Sequence, residues 1–433
     1  MLSRHAFFWS FLFITVMLSS MSESAYSIDE GYGSLLPPAI VQLIGYVRWL
    51  AWIVFVLDGL ATTFSFKKIT RYHGRFLIFY GILFVAALTL VGNLADPVTR
   101  KEFFRYTSLL VIFMVLPLQI EGFIHRKGLD ATLKLLFYNV LLLTFIGIAA
   151  TLRATGFTFR YTGWVDNPNQ FVLINIFFVA IATANLLRRT LPLYLLVPTF
   201  LFLVYTQLAS GSRNGLVGLL VLAGVFLMTY AKVGVAQTIA ISSLLGLGVW
   251  FFVKYGPESA LRIFDFGREA IYEDTGRLDL WEQLWAFIWE RWLFGWGVTG
   301  RHIIGLSGNS HNSYLSLLIF FGLPFGTLMG VWFIWACLSG LLLQRDRENQ
   351  FTSVSYLFSA YMLAVAAMMA FEDSILGIGS PWVLLNVLAI GIVNTLTRPG
   401  AEFVLQRDLG FAPPISVPLP PDPNAPWSPE DFS

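Results

Sequence analysis

Apolar residues gather in long blocks along this chain, at about 6–20, 39–64, 76–92, 108–123, 135–151, 171–187, 193–209, 215–231, 235–253, 312–343, 353–371 and 381–396. A helix needs roughly 17 to 25 such residues to cross a bilayer. The pattern therefore predicts an all-α polytopic membrane protein of about twelve transmembrane helices. The first block also has the layout of a signal peptide, with Arg4 and His5 ahead of an apolar run and Ser19-Ser20-Met21-Ser22 after it. Both readings stand, and a retained first helix is preferred.

Polar connections set the orientation. Lys67, Lys68, Arg71 and Arg75 crowd one connection, Arg126, Lys127 and Lys134 the next but one, then Arg188 with Arg189, Lys232, and Arg345 with Arg347. Basic loops face the cytoplasm. Both chain ends are thus expected inside, with 21–38, 93–107, 152–170, 210–214, 254–311 and 372–380 outside; Arg100, Lys101 and Arg105 run against that assignment. Nine of nineteen prolines follow Arg398, so 399–433 reads as a Pro-rich disordered cytoplasmic tail beyond a membrane domain at 1–398.

Composition narrows the class. Hydrophobic residues make up 56% and charged residues 12% of 433, with a mean hydropathy of +0.69, whereas soluble domains carry about 25% charge. A net charge of +2 gives no reason to expect nucleic acid. Cys337 is the single cysteine and no His/Cys pairing recurs, so neither a disulfide framework nor a metal site is expected. No cofactor is expected either.

Four polar features stand at the ends of apolar blocks. Ala209-Ser210-Gly211-Ser212-Arg213-Asn214-Gly215 joins two blocks in a tight turn; Arg213 there either snorkels to headgroups or grips a phosphate with its fork. In the large outer segment, Leu278, Trp281, Leu284, Trp285, Ile288 and Trp292 recur at helical spacing behind Arg277. That spacing predicts an interfacial amphipathic helix, whose tryptophans form an aromatic belt or stack on a sugar. Asn309-Ser310-His311-Asn312-Ser313-Tyr314 precedes another block, and His311, with a side chain that titrates near neutrality, is a candidate acid or base. Gly163-Trp164-Val165-Asp166-Asn167-Pro168-Asn169 has the residues of a turn and a helix start. Glu372 and Asp373 are read as structural partners of outer arginines.

Taken in order, Asn167 to Asn169, Ser212-Arg213, Arg277 with Trp281, Leu293-Phe294-Gly295-Trp296-Gly297 and His311-Asn312 resemble the O-antigen ligase and polymerase superfamily over about 160–345. His-Asn, nine intervening residues and then Gly is met by His311, Asn312 and Gly322; ligases then have a small residue or Tyr where this chain has Phe325, with Gly326 one step later. The resemblance implies a metal-independent glycosyltransferase in the bacterial inner membrane, with its site facing the periplasm. The donor would be an undecaprenyl diphosphate-linked oligosaccharide, and the acceptor a glycan or lipid A core. Arg213 and Arg277 match the diphosphate-binding arginines and His311 the catalytic histidine, with Asn312, Asn169 and Trp281 as further substrate-binding residues. The Phe325 departure tilts the reading from O-antigen ligase toward polymerisation of O-antigen or exopolysaccharide, alongside other polysaccharide export proteins. The non-enzymatic rival is a lipid-linked glycan flippase, which would need ionisable residues deep in several spans; Arg48 and Asp58 are the main examples here.

Overall fold

The computed structural model describes residues 4–18, 38–62, 77–154, 161, 163–165, 168–210, 212–230, 277–297, 312–342, 352–370 and 381–397. Among them every regular element is helical: α1 (Arg4–Leu18), α2 (Pro38–Thr62), α3 (Leu77–Leu90), α4 (Pro97–Lys127), α5 (Leu129–Ala154), α6 (Pro168–Arg188), α7 (Leu193–Ala209), α8 (Arg213–Tyr230), α9 (Arg277–Glu290), α10 (Ser313–Leu342), α11 (Thr352–Met368) and α12 (Pro381–Leu396). Eleven of these coincide with apolar blocks. The block 235–253, His311 and the tail 399–433 lie outside the described residues.

Length and composition alone qualify α2, α4, α5, α6 and the 313–335 part of α10 to cross a membrane, while α1, α7, α8, α11 and α12 are shorter apolar helices. The bundle is apolar inside and out. Most residues of α6, α11 and α12 are buried, whereas α2 leaves Leu43, Leu50, Ile53 and Leu57 exposed and α5 leaves Phe145. A helix apolar all round belongs in a protein core or in lipid; three helices here take the first place and the rim helices face the second. Four threonine hydroxyls within these helices are satisfied locally, Thr144, Thr183, Thr199 and Thr395 each donating to the carbonyl four residues back.

α1 packs as one of the bundle's own helices. Leu12, Phe13, Val16 and Met17 are buried, Asn139 Nδ2 donates to Ser10 Oγ at 3.1 Å, and Trp164 Nε1 donates to the Met17 carbonyl at 3.1 Å.

Two expectations are corrected. Residues 97–107 are not an outer loop but the opening turns of α4. Asp96 caps that helix, accepting from Thr99 N at 2.8 Å and Thr99 Oγ1 at 2.7 Å, and Pro97 at the first position needs no N–H partner. These hydrogen bonds hold the Asp96 carboxyl below its usual range. Second, 312–343 is not one continuous span. Gly322 breaks α10 with φ +77°, and a Cβ on Gly326 would sit 2.7 Å from the Leu317 carbonyl oxygen. Across nine residues a straight helix would hold those groups about 13 Å apart. Gly330 likewise lies against the Tyr314 ring, so 313–321 folds back along the start of 323–342.

Candidate functional site

Several helix ends meet at one end of the bundle. Ser212 is the cap of α8, its Oγ accepting from Gly215 N at 3.3 Å while donating to Asn169 Oδ1 at 2.6 Å. Asn169 lies in the first turn of α6, so one hydroxyl joins the starts of two helices. Asn312 caps α10: its Oδ1 accepts from Tyr314 N and Leu315 N, both at 3.0 Å. Ser313 N then donates to the Met369 carbonyl at 2.9 Å and Tyr314 Oη to the Ala366 carbonyl at 2.7 Å. Those contacts fix the start of α10 to the end of α11. α11 in turn packs most closely of all on α8, with Met368 against Gly218. The N-termini of α6, α8 and α10 therefore share one end, and each presents the positive pole of its helix dipole there.

A buried polar lock stands one to two turns beneath. Asn175 Nδ2 donates to Gln207 Oε1 and to the Leu203 carbonyl, both at 2.8 Å. Gln207 Nε2 donates to the carbonyls of Gly215 at 3.1 Å and Val172 at 3.2 Å. Gln207 thereby ties α6, α7 and α8 together. Gly215 permits the approach, since a Cβ there would meet Val172 Cγ1 at 2.6 Å. Tyr161 N completes the corner on the Ala209 carbonyl at 3.1 Å. Asn214, beside Arg213, is only 5% exposed, yet neither its Oδ1 nor its Nδ2 has a hydrogen-bond partner. A buried amide with both functions unused marks a place for a polar ligand or a bound water.

The second wall is α9 with its following turn. Leu284 and Ile288 are fully buried and Trp281 packs half-buried against the core. Trp285, Trp289, Trp292 and Phe294 are exposed. The helical periodicity is as expected, but its apolar face divides, Leu284, Ile288 and Trp281 packing into the core and Trp285, Trp289 and Trp292 turning outward. Behind it Gly295 and Gly322 meet backbone to backbone: Leu323 N donates to the Trp292 carbonyl at 2.6 Å and Trp296 N to the Ile319 carbonyl at 2.7 Å. A Cβ on Gly322 would lie 2.6 Å from the Leu293 carbonyl. Phe325 stacks on Phe294 with ring centres 6.1 Å apart. The small residue needed for the fold-back is thus Gly326, one place after the ligase pattern has it.

Of the sequence-derived candidates, Asn169 and Asn312 come to the shared end, but as helix-start residues whose Oδ1 atoms are engaged by the protein. Arg213 opens α8 at that end, and Arg277 opens α9, at the far end of that helix from the Trp292–Gly297 turn; both arginine side chains lie outside what is described. His311, also outside the described residues, immediately precedes Asn312. The residues missed in sequence are Asn175, Gln207 and Asn214. Their signal is an amide inside or bordering an otherwise apolar block, where each unpaired polar group is expensive. Among the described residues no three His, Cys, Asp or Glu side chains gather to hold a metal ion.

An apolar helical bundle with polar helix starts gathered at one end is an integral membrane protein with a candidate site at that end. Residues 198–331 match the model of a family described as O-antigen ligase. That stretch, less than half of the chain, is similar to the O-antigen ligase family. It takes in Arg213, Arg277, Trp281, His311, Asn312 and Gly322, whereas Asn169 precedes it. No protein of curated description matches the chain.

Proposed function

We propose that the chain is a metal-independent glycosyltransferase with about twelve spans in the bacterial inner membrane. It takes a saccharide from an undecaprenyl diphosphate carrier at the periplasmic face and joins it to an acceptor hydroxyl. Polymerisation of a surface polysaccharide is the first reading, and ligation to lipid A core is the alternative outcome of the same chemistry. The observation that carries the proposal is the meeting of the α6, α8 and α10 N-termini, with Arg213 opening α8 and His311 just ahead of α10.

The first amides of α10 are taken by Asn312 and Met369, so this end offers an anion the field of the helix dipoles together with the arginines. As the bond between the anomeric carbon and the diphosphate oxygen breaks, its electron pair passes to the diphosphate. Arg213 and Arg277 stabilise that charge. The acceptor oxygen forms the new glycosidic bond and gives its proton to His311, a contribution of typically 10²–10⁴ in rate. α9 lies in the membrane interface as part of a cap formed by 254–311, and Trp281 offers a broad face to the saccharide. The flippase reading finds little support, because Asn175 in α6 and Gln207 in the last turn of α7 are turned on each other rather than on a transport path.

Membranes carrying Arg213→Ala, Arg277→Ala or His311→Ala should contain the protein at normal levels and transfer no glycan from a lipid-linked donor. Near-normal product from all three would overturn the mechanism. In a null strain, loss of chain length with single repeats still attached identifies a polymerase; free polymer beside unmodified lipid A core identifies a ligase.

A further inference from the structure

The opposite end of the bundle holds a cavity that the transfer reaction does not use. Arg188 at the end of α6 pairs with Asp130 at the start of α5 at 2.9 Å, so the C-terminal ends of α4 and α6 lie together, away from the candidate site. There a cavity of about 420 Å³ opens between α1, α2 and α4, within the range of about 300–1,000 Å³ typical of small-molecule sites. Its walls include Trp9, Phe11 and Phe55, and its polar lining is Asp58, Gln119 and Arg126.

The polar lining is specific. Gln119 is 4% exposed, and its Nε2 donates to the Phe55 carbonyl at 2.9 Å and to Asp58 Oδ2 at 3.4 Å. With both neighbours acceptors, the amide cannot be flipped, and its buried Oε1 is left without a hydrogen-bond partner. The unused Oε1, standing beside the negative Asp58 carboxylate, suits a cationic donor. Trp9, packed edge-on against Phe55 at 4.3 Å, adds an aromatic wall of the kind that attracts ammonium groups. Arg126, exposed in the last turn of α4, supplies the complementary charge for a phosphate, and its side chain leans back toward the helix N-terminus. Apolar Phe11 and Leu50 carry the lining out to the exposed, lipid-facing rim.

We propose that this cavity binds an aminophospholipid of the phosphatidylethanolamine type, drawn from the leaflet at the C-terminal end of α4. The ammonium sits between Gln119 Oε1 and Asp58, the phosphate on Arg126, and the hydrocarbon on the aromatic wall. This site is independent of the glycosyltransferase reading.

Native mass spectrometry of the detergent-purified full chain tests it, with phosphatidylethanolamine and phosphatidylglycerol of identical acyl chains as probes. The ethanolamine lipid should be retained about tenfold more strongly, the worth of one charge-assisted hydrogen bond. Asp58→Asn should bring the two lipids to parity, and Arg126→Ala should weaken both. Val54→Trp, at an exposed position of the lining, should cut binding of both while thermal unfolding is unchanged. Equal retention of the two lipids by the unaltered protein overturns the headgroup assignment. Full retention by Val54→Trp overturns the site.

Discussion

Two junctions frame the candidate site and are held by opposite means. Where α6, α7 and α8 meet, side chains do the joining: Ser212 to Asn169, and Gln207 to Asn175, Gly215 and Val172. Where the turn after α9 meets α10, the joining is done by missing side chains, Gly295 and Gly322 letting two backbones touch. A hydrogen-bonded junction can lose one bond and keep the rest. A glycine junction has no partial state, because a single Cβ collides with main chain that cannot rotate away.

Gly322→Ala should break the comparison most visibly. The backbone at Gly322, with φ +77° and ψ 173°, lies in a region used almost only by glycine and costs roughly 1–3 kcal/mol for an L-residue, and the contact with Leu293 adds about 1–3 kcal/mol of overpacking. Purified Gly322→Ala should unfold well below the parent in a thermal scan followed by tryptophan fluorescence, and it should lose transfer as the segment leading from His311 shifts. An unchanged melting profile would mean that the fold-back at Gly322 is wrong.

Gln207→Leu should come next. It removes one of the bonds that Asn175 Nδ2 donates and the second bond accepted by the Val172 and Gly215 carbonyls, for a loss of about 1–2 kcal/mol. A loss no larger than that of a rim substitution such as Leu201→Ala would show that the polar lock carries no stability.

Ser212→Ala removes a helix cap worth about 1 kcal/mol and the hydroxyl that Asn169 accepts. In a double-mutant cycle with Asn169→Ala the two losses should fall short of additivity by about 0.6 kcal/mol, the average for hydrogen bonds between membrane helices. Strict additivity would mean that the bond between the α6 and α8 starts contributes nothing.

The two junctions also differ in how much of them a reader of the sequence could have found. Ser212-Arg213 and Asn167-Pro168-Asn169 announce helix starts, because capping is local chemistry written in a few adjacent residues. Apolar block length likewise marked eleven of the described helices. Gln207 and Asn175 were missed because their partnership spans 32 residues of chain, and no local pattern ties one amide to another at that distance. The spacing from His311 to Gly322 was visible without its reason. A 32-residue apolar block reads as one helix until the dihedral at Gly322 and the Gly326 approach to Leu317 show it doubled back. Residues 97–107 failed differently. Their charges look like a loop, but Asp96 caps a helix through them and Glu102 is buried among its neighbours.

Asn214 gives the finest test, because it separates a residue that holds a junction from one that serves a ligand. It lies seven residues from Gln207, at the same corner, is likewise buried, and makes none of the hydrogen bonds that Gln207 makes. Truncating a side chain that bonds to nothing removes no interaction, so Asn214→Ala should leave stability within about 1 kcal/mol of the parent. If the buried amide faces the saccharide or its diphosphate, the same change should lower transfer by about tenfold, the loss of one hydrogen bond to a charged or polar ligand. Gln207→Leu should show the reverse balance, a lower melting temperature with transfer per folded molecule largely kept. Should Asn214→Ala melt as early as Gln207→Leu, its amide would be part of the lock after all, and the division of this corner into a holding face and a binding face would fail.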